Sequence, residues 1–502
     1  MKLKEGILNR EGHSFPGATY AEVVLAPAYD NAKTVLLPPM LAIHKAHLVM
    51  LVEQSLLKRH EAERIMSGIQ ALDILKLQET AYDGRYEDLF FLVESQIMQT
   101  AGEIGGSLHI ARSRNDMGVA MYRMALRQQL LDTIQSASAF LQTLVDTANQ
   151  HVDTIMLGYT HTQQAQPMTF AHYLTAVFDA VARDVKRLQA AYDTCNRSPL
   201  GAAALTTSGF PVNRERVAQL LGFNGLVENA YDAIGGADYL GEAAAALQVL
   251  FIGMGRFVQD LLLWSTQEFG SIRVADPYVQ VSSIMPQKRN PVSLEHIRSL
   301  SSSGVGRCMT VLQMLHNTPF GDIVDTEDDL QPHLWHGFRL SDQILRLCAV
   351  VVGTVDVNKE LLLNRTKHSF ATITELADTL VREANIPFRS SHAIASHVVK
   401  MAVERQLDAS QVTSSLIDEA ASQVIGHPLQ LSPDIVQRAM DPVHFVEVRN
   451  VPGGPAPTEM HRALAARQRQ LNHIAFSVRA EVERLKDAST YLDAVANEWC
   501  RG

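Results

Sequence analysis

Cysteine is scarce in this 502-residue chain: Cys195, Cys308, Cys348 and Cys500 are the whole set, and they lie far apart. No C-x-x-C pair occurs, which excludes a zinc ribbon and a thioredoxin-type site. So few thiols suit a reducing compartment. Basic charge is in deficit, with 44 Lys and Arg against 54 Asp and Glu and a net charge of -10. A general nucleic-acid binder needs a basic face to neutralise phosphates, so that class is excluded. A local basic pocket for a small acid stays open. The most apolar charge-free stretch, Ala243 to Gly255, is shorter than the roughly 18 residues of a membrane span. No apolar signal-peptide core follows Met1-Lys2-Leu3-Lys4-Glu5. A soluble, cytoplasmic protein without membrane or nucleic-acid partners is expected.

Familiar catalytic motifs are missing too. There is no P-loop, no H-E-x-x-H and no G-x-S-x-G, and Gly253-Met254-Gly255 lacks the third glycine of a dinucleotide fold. His392 and His397 have the wrong spacing for one helical face, and no histidine cluster suggests a metal. Neither a metal nor any other cofactor is expected.

Proline is absent between Pro39 and Pro167, between Pro211 and Pro277, and between Pro332 and Pro387. A helix-interior proline costs about 3 kcal/mol, so such stretches permit long helices. Leu247, Leu250, Phe251, Met254, Val258 and Leu261 recur at spacings of three and four. Leu126, Leu130, Ile134 and Leu141 mark a second helical face. The alternation of a sheet is hard to find. With 46% apolar residues the chain can bury a large core, and an all-α fold is expected. It divides into an N-terminal helical part (1–112), a central long-helix bundle (113–365) and a C-terminal helical part (366–502). Long amphipathic helices in the centre expose apolar stripes that a multi-subunit bundle would cover.

Three polar segments stand out. Gly105 to Asp116 ends in Arg112-Ser113-Arg114-Asn115-Asp116 at the mouth of a long helix. Fork donors, a hydroxyl and an amide there suit a carboxylate, although an ordinary capped helix start would look similar. Gly158 to Pro167 surrounds His161 with donors that include Thr160 and Gln166. It reads as a pocket wall with a proton-transfer histidine, or as a simple turn. Val281 to Pro291 is a loop with paired serines, two prolines and two cations, and Glu295 follows on the incoming helix. Such a loop can close over a substrate, or be a plain surface connection.

Ser282-Ser283-Ile284-Met285-Pro286-Gln287-Lys288-Arg289-Asn290-Pro291 resembles the S-S-x-M-P-x-K-x-N-P signature of the fumarase/aspartase superfamily. The Arg112–Asp116 and Gly158–His161 segments, Pro199-Leu200-Gly201-Ala202, residues 378–389 and Pro452-Gly453-Gly454 resemble its argininosuccinate lyase branch. The resemblance runs from about residue 20 to 470. It implies a three-domain α fold whose five central helices build a twenty-helix core in a homotetramer, each active site drawing on three subunits. The implied reaction is anti β-elimination of an amine from a succinyl group, leaving fumarate. By the same resemblance Ser282 is the base, helped by Lys288 and loop N–H groups. His161, paired with Glu295, hands a proton to the amine. Arg112, Ser113, Asn115, Thr160, Gln166, Ser283 and Asn290 hold the substrate.

Three positions depart from the branch. Ala111 stands where Gly is usual, and Gly235-Gly236-Ala237-Asp238 replaces an S-D-R-D stretch. After Pro319, Asp322, Val324 and Glu327 stand where the branch carries a tyrosine, a cation and a glutamine. Two added carboxylates and one lost cation favour a cationic amine without a carboxylate, such as a short diamine. Acids at a helix start explain the same residues through the helix dipole. Argininosuccinate lyase itself and a silent crystallin-like structural protein are the alternatives; keeping Ser282, His161, Lys288 and Glu295 speaks against the second.

Overall fold

In the computed structural model, which describes residues 2–500, five long helices form the centre. They are α1 (Arg114–Asn149), α2 (Phe170–Cys195), α3 (Asp238–Trp264), α4 (Val292–Leu315) and α5 (Gln331–Gly353). Helix α1 packs on α2 and α5, and α3 packs on α2 and α4. Both apolar faces expected from the sequence point inward: Leu247, Leu250, Phe251, Met254, Val258 and Leu261 are buried, as are Leu126, Leu130, Ile134 and Leu141. Helices α1 and α2 start where a side chain takes over orphan backbone donors. Ser113 and Asp116 form a capping box on α1, and Thr169 caps α2 by accepting from His172 N at 3.1 Å.

Helix α3 extends well beyond the charge-free Ala243–Gly255 stretch. Its 27 residues make it long and apolar enough to cross a membrane. Here its buried face belongs to the central core, so the expectation of no such segment is corrected in length. A composition window misses it because single charges at Glu242, Arg256 and Asp260 interrupt the run.

A second apolar cluster gathers the N-terminal helices, with Ile43, Leu48, Ile65, Phe90 and Val93 at its centre. A third, around Leu376, Ile394, Val398, Ile417 and Val436, fills the C-terminal unit. The last helix, α6 (Pro457–Trp499), belongs to neither alone. Its first half buries Met460, Leu464, Leu471 and Ile474 in the central core. Its end inserts Leu492, Ala496 and Trp499 into the N-terminal cluster.

Among the described residues sheet is confined to two-stranded ribbons, apart from an isolated bridge between Ser198 and Leu226. The longest is an antiparallel hairpin of β1 (Ile155–Thr160) and β2 (Gln163–Thr169), with Thr160 opposite Gln163.

Candidate active site

The first polar segment splits into an inner and an outer part. Arg112 is buried, and its Nη1 donates to His44 Nδ1 at 2.9 Å. Burial pulls this guanidinium down to about 10, against the attraction of Asp116 and Glu94. His44 is itself pushed well below the usual imidazole range by burial and by Arg112. So Arg112 props the segment from behind. Ser113 Oγ caps the helix and donates to Asn115 Oδ1 at 3.0 Å. Arg114, which lies outside the expected set, faces outward. It pairs with Glu87 at 3.0 Å and Asp88 at 2.9 Å and stacks over Phe91. Asp116 ties the segment to the next one, accepting from Gly201 N and Ala203 N at 3.0 Å each. Burial raises Asp116 to about 6. Ala111, the substitute for the branch glycine, has φ +55, a left-handed conformation that disfavours any residue with a Cβ.

The second segment is the β1–β2 hairpin, and its two-residue turn is His161-Thr162. Both have positive φ, +50 and +62, where such a turn favours Asn-Gly. A β-branched Thr162 there is strained, and such strain concentrates at functional sites. His161 is thereby held out at the tip of an exposed arm. No ion pair joins it to Glu295 within the protomer, and Glu295 is exposed in the first turn of α4. Thr160 and Gln166 line a cavity of about 580 Å³ together with Tyr159, His172, Trp264 and Arg449. Gln166 Nε2 also donates to Thr374 Oγ1 at 3.1 Å.

The third segment hangs between β3 (Gln280–Val281) and β4 (Arg289–Asn290). Arg289 fixes its base by pairing with Asp276 and donating to Val274 O at 3.1 Å. Ser282 Oγ accepts from Met285 N at 3.1 Å and, more loosely, from Ile284 N at 3.4 Å. Two N–H donors on one hydroxyl oxygen favour its anion, which is the support a serine base needs. Ser283 and Lys288 are exposed, and Val281, Ile284 and Met285 turn apolar surface outward.

The acids after Pro319 lie beside the first segment. Asn115 Nδ2 donates to Asp322 Oδ2 at 2.7 Å. Burial, together with the neighbouring acids Asp322 and Asp328, pushes Glu327 up to about 9. Tyr122 OH donates to Asp328 at 3.2 Å. A second departure explains the approach: a Cβ on Gly235 would stand 3.0 Å from Gly321 N and 3.2 Å from Phe320 C. The glycine lets residues 320–321 settle against the Ala230–Gly235 helix, one residue short of Asp322. The two departures, which begin 87 positions apart at Gly235 and Asp322, thus meet in one corner.

The family comparisons agree with this geometry. The model of the family described as Lyase matches residues 45–306, and that of the argininosuccinate lyase C-terminal region matches 370–447. The chain belongs to the argininosuccinate lyase branch of the fumarase/aspartase superfamily. It is a carbon–nitrogen lyase of the fumarate-releasing kind. It is 39% identical over 469 residues to argininosuccinate lyase 2 of Agrobacterium fabrum, covering 93% of each chain. Argininosuccinate lyase 1 of Shouchella clausii is 36% identical, with 89% of this chain and 90% of that one covered. Among solved structures, an EDDS lyase in complex with formate superposes with a TM-score of 0.87 at 32% identity. That match covers 97% of this chain and 99% of the other.

The protomer therefore brings together Ser113, Asn115, Asp322 and Glu327, with Arg112 behind them. It does not bring His161 to Glu295. Arg114, Glu87 and Asp88 escape a sequence reading because alternate arginines at a helix mouth look equivalent until burial separates them. Among the described residues no group of three His, Cys, Asp or Glu is placed to hold a metal ion.

Proposed function

We propose that this lyase eliminates a short diamine from an N-succinyl compound, as an ethylenediamine-N,N'-disuccinate lyase would. The observation that carries the reading is the bond from Asn115 to Asp322 beside Glu327. It sets two carboxyl groups next to the succinyl anchor, where the branch carries a tyrosine and a glutamine. A carboxylate near a cation contributes a few kcal/mol at most after desolvation, and a bound cation in turn favours the ionised form of the half-buried Glu327. The solved EDDS lyase supports the same substrate class.

Ser282 takes the proton next to the succinyl carboxylate. The dianionic intermediate needs preorganised donors in a dry pocket. Lys288, Asn290 and the loop backbone supply them, while Ser113, Asn115, Thr160, Gln166 and Ser283 hold the carboxylates. No cofactor takes part. Closing such a site needs further copies of the chain, because His161, Glu295 and the Ser282 loop stand apart and exposed in one protomer. Exposed Val249, Ile252 and Leu263 on α3 and Met309 on α4 are the stripes that a twenty-helix tetramer core would cover.

The test is fumarate release, followed by ultraviolet absorbance, from ethylenediamine-N,N'-disuccinate and from argininosuccinate. Preference for the second would favour the reading suggested by the names of the Agrobacterium and Shouchella relatives. Release from neither would favour a silent structural protein. Shared sites are tested by mixing Asn115→Ala and Ser282→Ala subunits: exchange should restore part of the activity, and inactive mixed tetramers would mean one-chain sites.

A further inference from the structure

The Ser282 loop leaves the bundle through a narrow root. Its incoming end follows the turn Asp276–Tyr278 into β3, and its outgoing end runs from β4 through Pro291 into α4. The backbone ladder that joins the two ends is only two residues long, with Gln280 opposite Asn290 and Val281 opposite Arg289. A two-stranded ribbon is marginally stable at best on its own. The side chain of Arg289 adds a second tie. It reaches from the outgoing end back to the incoming one, pairs with Asp276, and donates through Nη2 to Val274 O at 3.1 Å. Val274 is buried in the central core, so the tie ends on a fixed point.

Arg273 also reaches Asp276, at 3.5 Å, but it stands on the incoming side, in a short strand paired with Asp356 and Val357. Its side chain is 62% exposed, against 35% for Arg289. Of the two arginines at this carboxylate, therefore, Arg289 is the one that spans the root. Its hydrogen bond is also the first cause that holds the Asp276 carboxyl below the usual carboxylate range, ahead of the charge of Arg273. An exposed ion pair adds little to global stability. Its effect here is local. It sets the angle at which Ser282, Lys288 and Asn290 are presented, and a misplacement of about 1 Å at a reacting centre costs about 10²-fold in rate.

Resting on the reading of Ser282 as the base, we propose that Arg289 is the positioning residue of the Ser282 loop. By clamping Asp276 and Val274 O it fixes the pitch of the loop against the bundle, and with it the place from which the base takes its proton. Arg289 acts through the loop, not on the reacting atoms.

The experiment uses the full-length enzyme and follows fumarate release from ethylenediamine-N,N'-disuccinate and from argininosuccinate. Arg289→Gln should lower kcat by about 10–100-fold. KM should change by about threefold at most, because Ser113, Asn115, Thr160 and Gln166 hold the carboxylates from outside the loop. Arg289→Lys, which keeps the charge, should recover part of kcat. Asp276→Asn, which frees the same guanidinium, should lower kcat by a similar factor, and the double variant should lose no more than either single one. Arg273→Gln should keep the wild-type kcat. Urea midpoints of all these variants should stay near that of wild type, since the pair is exposed. The proposal is overturned if Arg289→Gln keeps kcat within about threefold of wild type. It is equally overturned if Lys and Gln at this position are equally slow, if Arg273→Gln is as slow as Arg289→Gln, or if the losses multiply in the double variant. Should Arg289→Gln fail to fold, Asp276→Asn decides alone by the same kcat criterion. Failure of the underlying reading looks different: Ser282→Ala then turns over at the wild-type rate, or wild type releases no fumarate from either compound.

Discussion

Gly235→Ala would probe the corner in which two departures from the branch meet. The added Cβ would stand 3.0 Å from Gly321 N, 3.1 Å from Gly321 Cα and 3.2 Å from Phe320 C, all inside ordinary van der Waals contact. Three backbone atoms must give way by a few tenths of an ångström. Overpacking of this kind costs about 1–3 kcal/mol. Alanine at a helical position returns about 0.5–1 kcal/mol of that, since it loses less freedom on folding than glycine. A net loss of about 1–2 kcal/mol should appear as a lower urea midpoint at unchanged slope. The displaced segment carries Asp322, whose 2.7 Å bond to Asn115 should lengthen without breaking. A hydrogen bond weakened by about 0.5–1 kcal/mol corresponds to a two- to fivefold rise in KM for the amine in the addition direction. KM for fumarate should hardly move. If both the urea midpoint and the amine KM match wild type, the contact is loose and Gly235 does not position Asp322.

Ser282→Ala should fold normally and lose about 10²–10⁴-fold in turnover; retention of a third of the wild-type rate in the fumarate assay would pass the role of base to Ser283. Ala111→Gly should raise stability by about 0.5–1 kcal/mol, the left-handed penalty of about 1–2 kcal/mol less the extra freedom of unfolded glycine. Urea melts measure it, and a loss of stability would refute strain at φ +55. His47, buried and bonded to Ile110 O at 2.9 Å, is lowered to about 3 by burial and by Arg112. A base depressed in the fold contributes stability that is present above its unfolded pKa, about 6.5, and lost as pH falls below it. Each such histidine adds a slope of up to about 1.4 kcal/mol per pH unit. Urea melts of His47→Gln should therefore fall by about 2 kcal/mol less than wild type between pH 6.5 and 5. Parallel profiles would refute it.

Helix content and helix faces were legible because both rest on local pattern: the proline gaps mark the long helices, and the Leu247–Leu261 face is buried as spaced. The β1–β2 hairpin was not, because its turn residues His161 and Thr162 are poor formers of the turn they adopt. Only tertiary packing could reveal it. The motif of the first segment was legible, but not which arginine turns inward. Burial against His44 decides that, and His44 lies 68 residues away. The acids after Pro319 were visible as a departure, whereas the bond that draws Asp322 to Asn115, 207 residues away, depends on tertiary packing. The C-terminal part also holds more than one role, since α6 leaves the Leu376–Val436 cluster to pack on the other two.

That last helix sets the order in which the molecule can be completed. Lys45 pairs with Asp493 at 2.6 Å, Arg59 lies over the Trp499 ring at 4.2 Å, and Gln70 bonds Asn497 at 3.1 Å. The seats for these residues are made 427 to 448 positions before their occupants emerge. At about 5–20 residues per second the ribosome needs roughly 20–90 seconds to bridge the gap. Throughout that time the groove that receives Leu492, Ala496 and Trp499 is open to solvent. A nascent chain carries there an apolar seam suited to a holding chaperone, and the emergence of α6 is the event that lets it close.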